Sequence, residues 1–150
     1  MKSRLVLSLL SLITLAACTS REAELATFQK EFIHPLNGYS QVVAVTQGKI
    51  KTLYISGQIG EGPDLEAQLR AVFNSLQNEL KAGGADYKDL VKINTYIVDY
   101  KAADLELFRN VRKEILGEND LPASTLVGVS ALARPEWLIE MEAVAVVKLE

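Results

Sequence analysis

Residues 122–147 read PASTLVGVSALARPEWLIEMEAVAVV, two strand patterns joined by a Pro-containing turn. From Trp137 to Val147, Ile139, Met141, Ala143 and Ala145 alternate with Leu138, Glu140, Glu142, Val144 and Val146. Successive side chains of a strand point to opposite faces, so one face here is apolar and the other carries two carboxylates among apolar neighbours. The apolar face calls for a second layer packed on it. The face with Glu140 and Glu142 is solvated surface, subunit interface or reaction site, and the chain's function turns on which.

The remaining elements follow from periodicity. Tyr39 to Thr46 and Ile50 to Gly57 read as two strands around a turn at Gln47-Gly48-Lys49. Leu53 and Ile55 face one way, Thr52, Tyr54 and Ser56 the other. A helix is predicted from about Pro63 to Ala82, where Leu65, Leu69, Val72, Phe73, Leu76 and Leu80 recur at i, i+3/i+4 before Gly83-Gly84. Leu90 to Val98 is a strand in which Val91, Ile93, Thr95 and Ile97 alternate with Lys92, Asn94, Tyr96 and Val98. A second helix spans Ala102 to Leu116 and stops at Gly117, and Ala123 to Ser130 is the next strand. The order β-β-α-β-α-β-β predicts an α+β fold, a mixed sheet with two helices on one face. The opposite face is then expected to carry Tyr54, Ser56, Asn94, Tyr96, Ser124 and the two glutamates. That is too polar for a core and too apolar for ordinary surface, a pattern that fits self-association.

Charge and cysteine content narrow the function. The formal net charge is −3, with no basic run, which disfavours phosphate-backbone binding and a nucleic-acid partner. Cys18 is the single cysteine and His34 the single histidine, so neither an internal disulfide nor a Cys/His metal cluster can form, and no metal is expected. His34 itself reads as a loop or packing residue. No cofactor is implied.

Residues 1–18, MKSRLVLSLLSLITLAAC, have a basic start, an apolar run from Leu5 to Ala17 and small residues before Cys18. The run is short for a bilayer span, which needs about 20 residues, and has the form of an export signal. Leu15-Ala16-Ala17-Cys18 resembles the bacterial lipoprotein lipobox. That resemblance implies lipidation of Cys18, anchoring in the cell envelope and, with Thr19 rather than Asp next, the periplasmic side of the outer membrane. Residues 19–37 read as a tether and 38–150 as the folded domain.

The strand end Tyr54-Ile55-Ser56-Gly57-Gln58-Ile59, the helix followed by Ala82-Gly83-Gly84, the Val91-Lys92 strand and the ending Ile139-Glu140-Met141-Glu142-Ala143 together resemble the Rid family (YjgF, reactive intermediate deaminases, formerly labelled L-PSP endoribonucleases). The resemblance covers roughly residues 38–147. It implies a chorismate-mutase-like fold and a homotrimer whose sheets close a central barrel, with a small-molecule cleft between subunits. Active deaminases of the family hydrolyse 2-imino or enamine acids to 2-keto acids and ammonia. By resemblance, Glu140 positions or activates the water, Ser56 and Gly57 line the cleft, and Tyr39 stands at its rim.

One position departs from that pattern. The deaminases carry an arginine two residues after the proline that opens the penultimate strand, and in Pro122-Ala123-Ser124-Thr125 that place is Ser124. A serine cannot grip a carboxylate as a guanidinium does. Ser124 therefore points to a ligand-binding protein without 2-imino-acid deaminase activity. The alternatives are an imine deaminase using another anchor, such as Arg134, a nuclease, and an envelope scaffold.

Overall fold

The computed structural model describes residues 28–150; Cys18 and the expected export signal and first part of the expected tether lie outside them. The elements are β1 (Phe28–Leu36), β2 (Tyr39–Gln47), β3 (Ile50–Gln58), α1 (Leu65–Ala82), a 3₁₀ turn (Tyr87–Asp89), β4 (Leu90–Val98), α2 (Ala102–Leu116), β5 (Ala123–Val129) and β6 (Ile139–Lys148). They build one six-stranded sheet in the order β1-β2-β3-β6-β4-β5. Only β4 and β5 run parallel, as a pair joined by a crossover helix must.

β6 lies between β3 and β4 and pairs antiparallel with both. Its Ile139, Met141, Ala143 and Ala145 are buried, as their alternation predicts. They meet Leu69, Val72, Phe73, Leu76 and Leu80 of α1, with Phe108 and Val111 of α2 completing the layer. Taking each large side chain fully out of water contributes about 1.5–3 kcal/mol. α1 begins at Leu65 rather than Pro63, because Asp64 is its extended N-cap and accepts a hydrogen bond from the Ala67 amide at 2.9 Å. Gly83 ends the helix against β3, where a Cβ would meet Leu53 Cδ1 at 2.4 Å.

Three features differ from the sequence expectation. Residues 28–36, expected to lie within a tether, form strand β1. It pairs with β2 from Phe28↔Gln47 to Leu36↔Tyr39, and the family resemblance starting at residue 38 missed it. The cause is weak amphipathicity: only Ile33 is even half-buried, and backbone pairing holds the strand. Its sequence signal is the tight turn at Asn37-Gly38, where Gly38 takes φ +101.

The second difference is a bulge in β4. Leu90 pairs with Ala145 and Lys92 with Val144, leaving Val91 extra. Val91 is consequently 44% exposed and Leu90 takes the core position.

The third concerns Ser124. It is in register with the buried Ile93, so it lies on the helix-side face of the edge strand β5 rather than on the open face. The open face instead carries a row running Phe32, Val43, Tyr54, Val144, Lys92 and Ala123 across all six strands.

One buried polar side chain ties the layers together. Gln68 of α1 donates to the carbonyls of Gly62 (3.1 Å) and Glu136 (2.9 Å) and accepts from the Leu138 amide (2.9 Å). It fastens the loop before β6 to the start of α1. Gln68→Leu leaves those three groups without partners in a dry site. It is expected to destabilise the protein by about 2–4 kcal/mol in urea unfolding of the full chain.

Candidate functional site

A cavity of about 640 Å³ opens where the ends of β2 and β3 meet α1 and the loop leading into β6. Tyr39, Ser56, Gly57 and Glu140 all line it, so four of the five predicted ligand or catalytic residues come together. The fifth, Ser124, is on β5, three strands away from β3 in the sheet order. At one strand spacing each, that is roughly 14 Å across the sheet.

A bulge in β3 makes the site. Ile55 pairs with Ala143 and Gln58 with Met141, so Ser56 and Gly57 together oppose the single residue Glu142. The Glu140 carboxylate lies over the backbone so exposed: a Cβ on residue 57 would sit 1.8 Å from Glu140 Oε1. Glycine at 57 is thus a steric requirement of the Glu140 position. The Ser56 hydroxyl donates to the Ser40 carbonyl at 2.7 Å, and Gln58 donates to Gln41 at 2.8 Å, which lock the bulge to β2. Ser56 is therefore held by the framework, with its hydroxyl proton already committed.

The two glutamates divide. Glu142 accepts hydrogen bonds from Asn94 Nδ2 (2.7 Å) and the Tyr96 hydroxyl (3.2 Å) on the open face. Glu140 faces the cavity. Burial pushes its carboxyl above the usual range, and the charge of Glu142 pushes the same way. A carboxyl held above its usual range gives up its proton less readily than a free one and takes it back more readily.

The sequence reading missed the α1 side of the cavity. Ser75, Asn78 and Glu79 line it, as does Trp137 from the loop before β6. Glu79 reads from sequence as one more helix charge, and no local pattern marks it. His34, expected as a loop or packing residue, sits in β1 with φ +48 and bonds Glu79 Oε2 through Nδ1 at 2.9 Å. Arg134 does not line this cavity. It borders a neighbouring one, with its guanidinium 5.2 Å from the Trp137 ring centre and 3.9 Å from Glu136. Among the described residues there is no cluster of three or more metal-ligating side chains. Among them, too, no helix is long and apolar enough to cross a membrane.

A one-sided mixed sheet under two helices, with a carboxylate over a bulge glycine beside a cavity, is the arrangement of a YjgF-type domain. The chain belongs to the Rid/YjgF family: the family model described as "Endoribonuclease L-PSP" matches residues 29–147. A 2-iminobutanoate/2-iminopropanoate deaminase from Dermatophagoides farinae is 30% identical over 123 residues, covering 76% of this chain and 89% of that protein. A Homo sapiens protein of the same name is 31% identical over 116 residues, covering 72% and 79%. The structure of a YjgF/YER057c/UK114 family member from Mycobacterium tuberculosis superposes with a TM-score of 0.67 at 26% identity, covering 79% of this chain and 100% of that one. RidA from a Psychrobacter species gives a TM-score of 0.64 at 28% identity, covering 81% and 98%.

The raised Glu140 carboxyl has a pH signature. Its ionised form is the disfavoured one in the fold. Its contribution to stability is therefore fully present below the unfolded carboxyl pKa, about 4.3, and is lost as pH rises through the higher folded pKa. Glu140→Gln, which cannot ionise, is expected to resist urea better than the parent at pH 7, with the advantage fading toward pH 4.

Proposed function

We propose that this chain is a lipid-anchored, trimeric Rid-family protein that binds a small molecule in clefts between subunits and does not hydrolyse 2-imino acids. The observation that carries the reading is Ser124. A deaminase of this family holds its substrate carboxylate with an arginine at that place, and here the side chain is a neutral hydroxyl. Removing one member of a buried charged pair costs on the order of 2–5 kcal/mol, enough to empty the site of 2-imino acids at ordinary concentrations.

Assembly would bring Ser124 to the cavity. Both β1 and β5 are sheet edges, and the open face exposes Phe32 and Tyr54 at 60% and 53% and Val127 at 43%. Packing those faces around a three-fold axis buries them and lays one subunit's β5 beside another's cavity. The carboxylate machinery would survive there. Glu140 could take one proton from water as the water oxygen bonds to the imine carbon and pass it to the imine nitrogen; carrying the carbinolamine hydroxyl proton to the same nitrogen then lets the C–N bond break to a carbonyl and ammonia.

A second reading, an imine deaminase with another anchor, is supported by the two relatives named as deaminases at 30% and 31% identity. The position of Arg134 weighs against it as that anchor, since its guanidinium is engaged with Trp137 and Glu136 outside the cavity. Nucleic-acid cleavage, the sense of the family's description, is disfavoured by the acidic net charge of −3.

The full chain in detergent is expected to leave freshly generated 2-iminobutanoate to its spontaneous hydrolysis, followed as ammonia release. Ser124→Arg is expected to raise turnover above that background. Turnover by the parent chain at a rate typical of enzymes, roughly 1–1000 per second, would refute the reading.

The assembly and anchor are checked together. Sedimentation in density-matched detergent should give three chains per particle. Cys18→Ala should leave the protein in the aqueous phase on detergent partition. A monomer, or a Cys18→Ala protein still in the detergent phase, would remove the corresponding part of the proposal.

A further inference from the structure

We infer that the cavity between β3, α1 and the β5–β6 loop takes a small organic cation, a primary ammonium or iminium without a carboxylate. The charged side chains that line it are Glu79 and Glu140, and no lysine or arginine does so among the described residues. The inference rests on reading this cavity as the ligand site, and it names the class of ligand.

Three observations support it. First, both carboxylates are placed by the fold. Glu79 has a side chain only 13% exposed and is held by His34 at 2.9 Å, while Glu140 occupies the space that Gly57 leaves without a Cβ. Fixed charges in a partly dry cavity act on a ligand more strongly than mobile surface charges do. Second, Tyr39 and Trp137 add aromatic surface to the wall, and the Arg134 guanidinium over Trp137 shows that ring accepting a cation. Third, burial first and the nearby charge of Glu142 second hold the Glu140 carboxyl above its usual range; both disfavour its ionised form, which an entering cation would favour and an entering carboxylate would oppose.

The Arg134 guanidinium lies beside the cavity rather than in its lining. Arg134 belongs to the adjoining cavity and faces Glu136, with Glu61 on the same wall. In the proposed trimer, the residue brought in at the anchor position is Ser124, also uncharged. A substrate carboxylate would therefore meet two acids and a hydroxyl. A protonated amine or iminium would meet two acceptors and two rings.

Trp137 is the only tryptophan in the chain and lines the cavity, so its fluorescence reports occupancy. The full chain in detergent should be titrated with n-butylammonium chloride and, separately, sodium butanoate at equal ionic strength. Butylammonium is expected to give a saturable change and butanoate none over the same range. Glu79→Gln should weaken butylammonium binding roughly 10- to 100-fold, the loss expected for a charged hydrogen-bond partner. Glu114→Gln, an exposed acid outside the cavity, should leave it unchanged.

Equal or tighter binding of butanoate overturns the inference, as does the absence of any saturable change with butylammonium. An unaltered affinity in Glu79→Gln overturns it as well, and circular dichroism of that variant shows whether it is folded. Preference for butanoate without 2-iminobutanoate turnover would sink this inference alone. Turnover together with preference for butylammonium would sink only the missing-anchor reading.

Discussion

The alternation along β6 divides the molecule into a dry side and an open side. Because β6 pairs with β3 and β4 at once, its Ile139, Met141, Ala143 and Ala145 set the plane on which α1 packs. The same alternation puts Glu140 and Glu142 on the other face with no freedom to turn inward, since a one-residue slip would expose four core side chains. The carboxylates are thus delivered by the packing of the core, and their neighbours decide what becomes of them.

Those neighbours differ by two residues along the strand. Glu142 reaches Asn94 and Tyr96 on β4 and becomes part of the sheet's polar bracing. Glu140 lies nearer the end of the sheet, where β3 bulges and presents Gly57 instead of a side chain. Hydrogen bonds from Ser56 to Ser40 and from Gln58 to Gln41 hold that irregularity in place. A bulge, a missing Cβ and a half-buried carboxyl are one device. Each would be costly alone, and together they leave a charged group facing a cavity.

The cavity's other wall has a separate origin. α1 supplies Glu79 from a helix whose apolar stripe is committed to the core, and Gln68 pins the loop that carries Trp137. The resulting cavity has acid on two sides and aromatic surface between, and among the described residues no lysine or arginine lines it.

Much of this was legible in the amino-acid order. Strong periodicities gave the bounds of β4 and α2 to the residue and the faces of β3 and β6, because burial of apolar side chains repeats every two or 3.6 residues. The family resemblance brought Tyr39, Ser56, Gly57 and Glu140 to attention, and all four share one cavity. β1 escaped notice because its order comes from backbone pairing, which leaves little mark on side-chain pattern, and the bulge at Val91 shifted a face by one residue. Glu79 and its bond to His34, 45 residues apart in sequence, had no local signature at all. The sequence by itself determined the layers, the family and the absence of an arginine at position 124. The tertiary structure alone decided what braces Glu142, which side chains of α1 wall the cavity and where Arg134 lies, because those outcomes depend on distances between residues that the chain order leaves far apart.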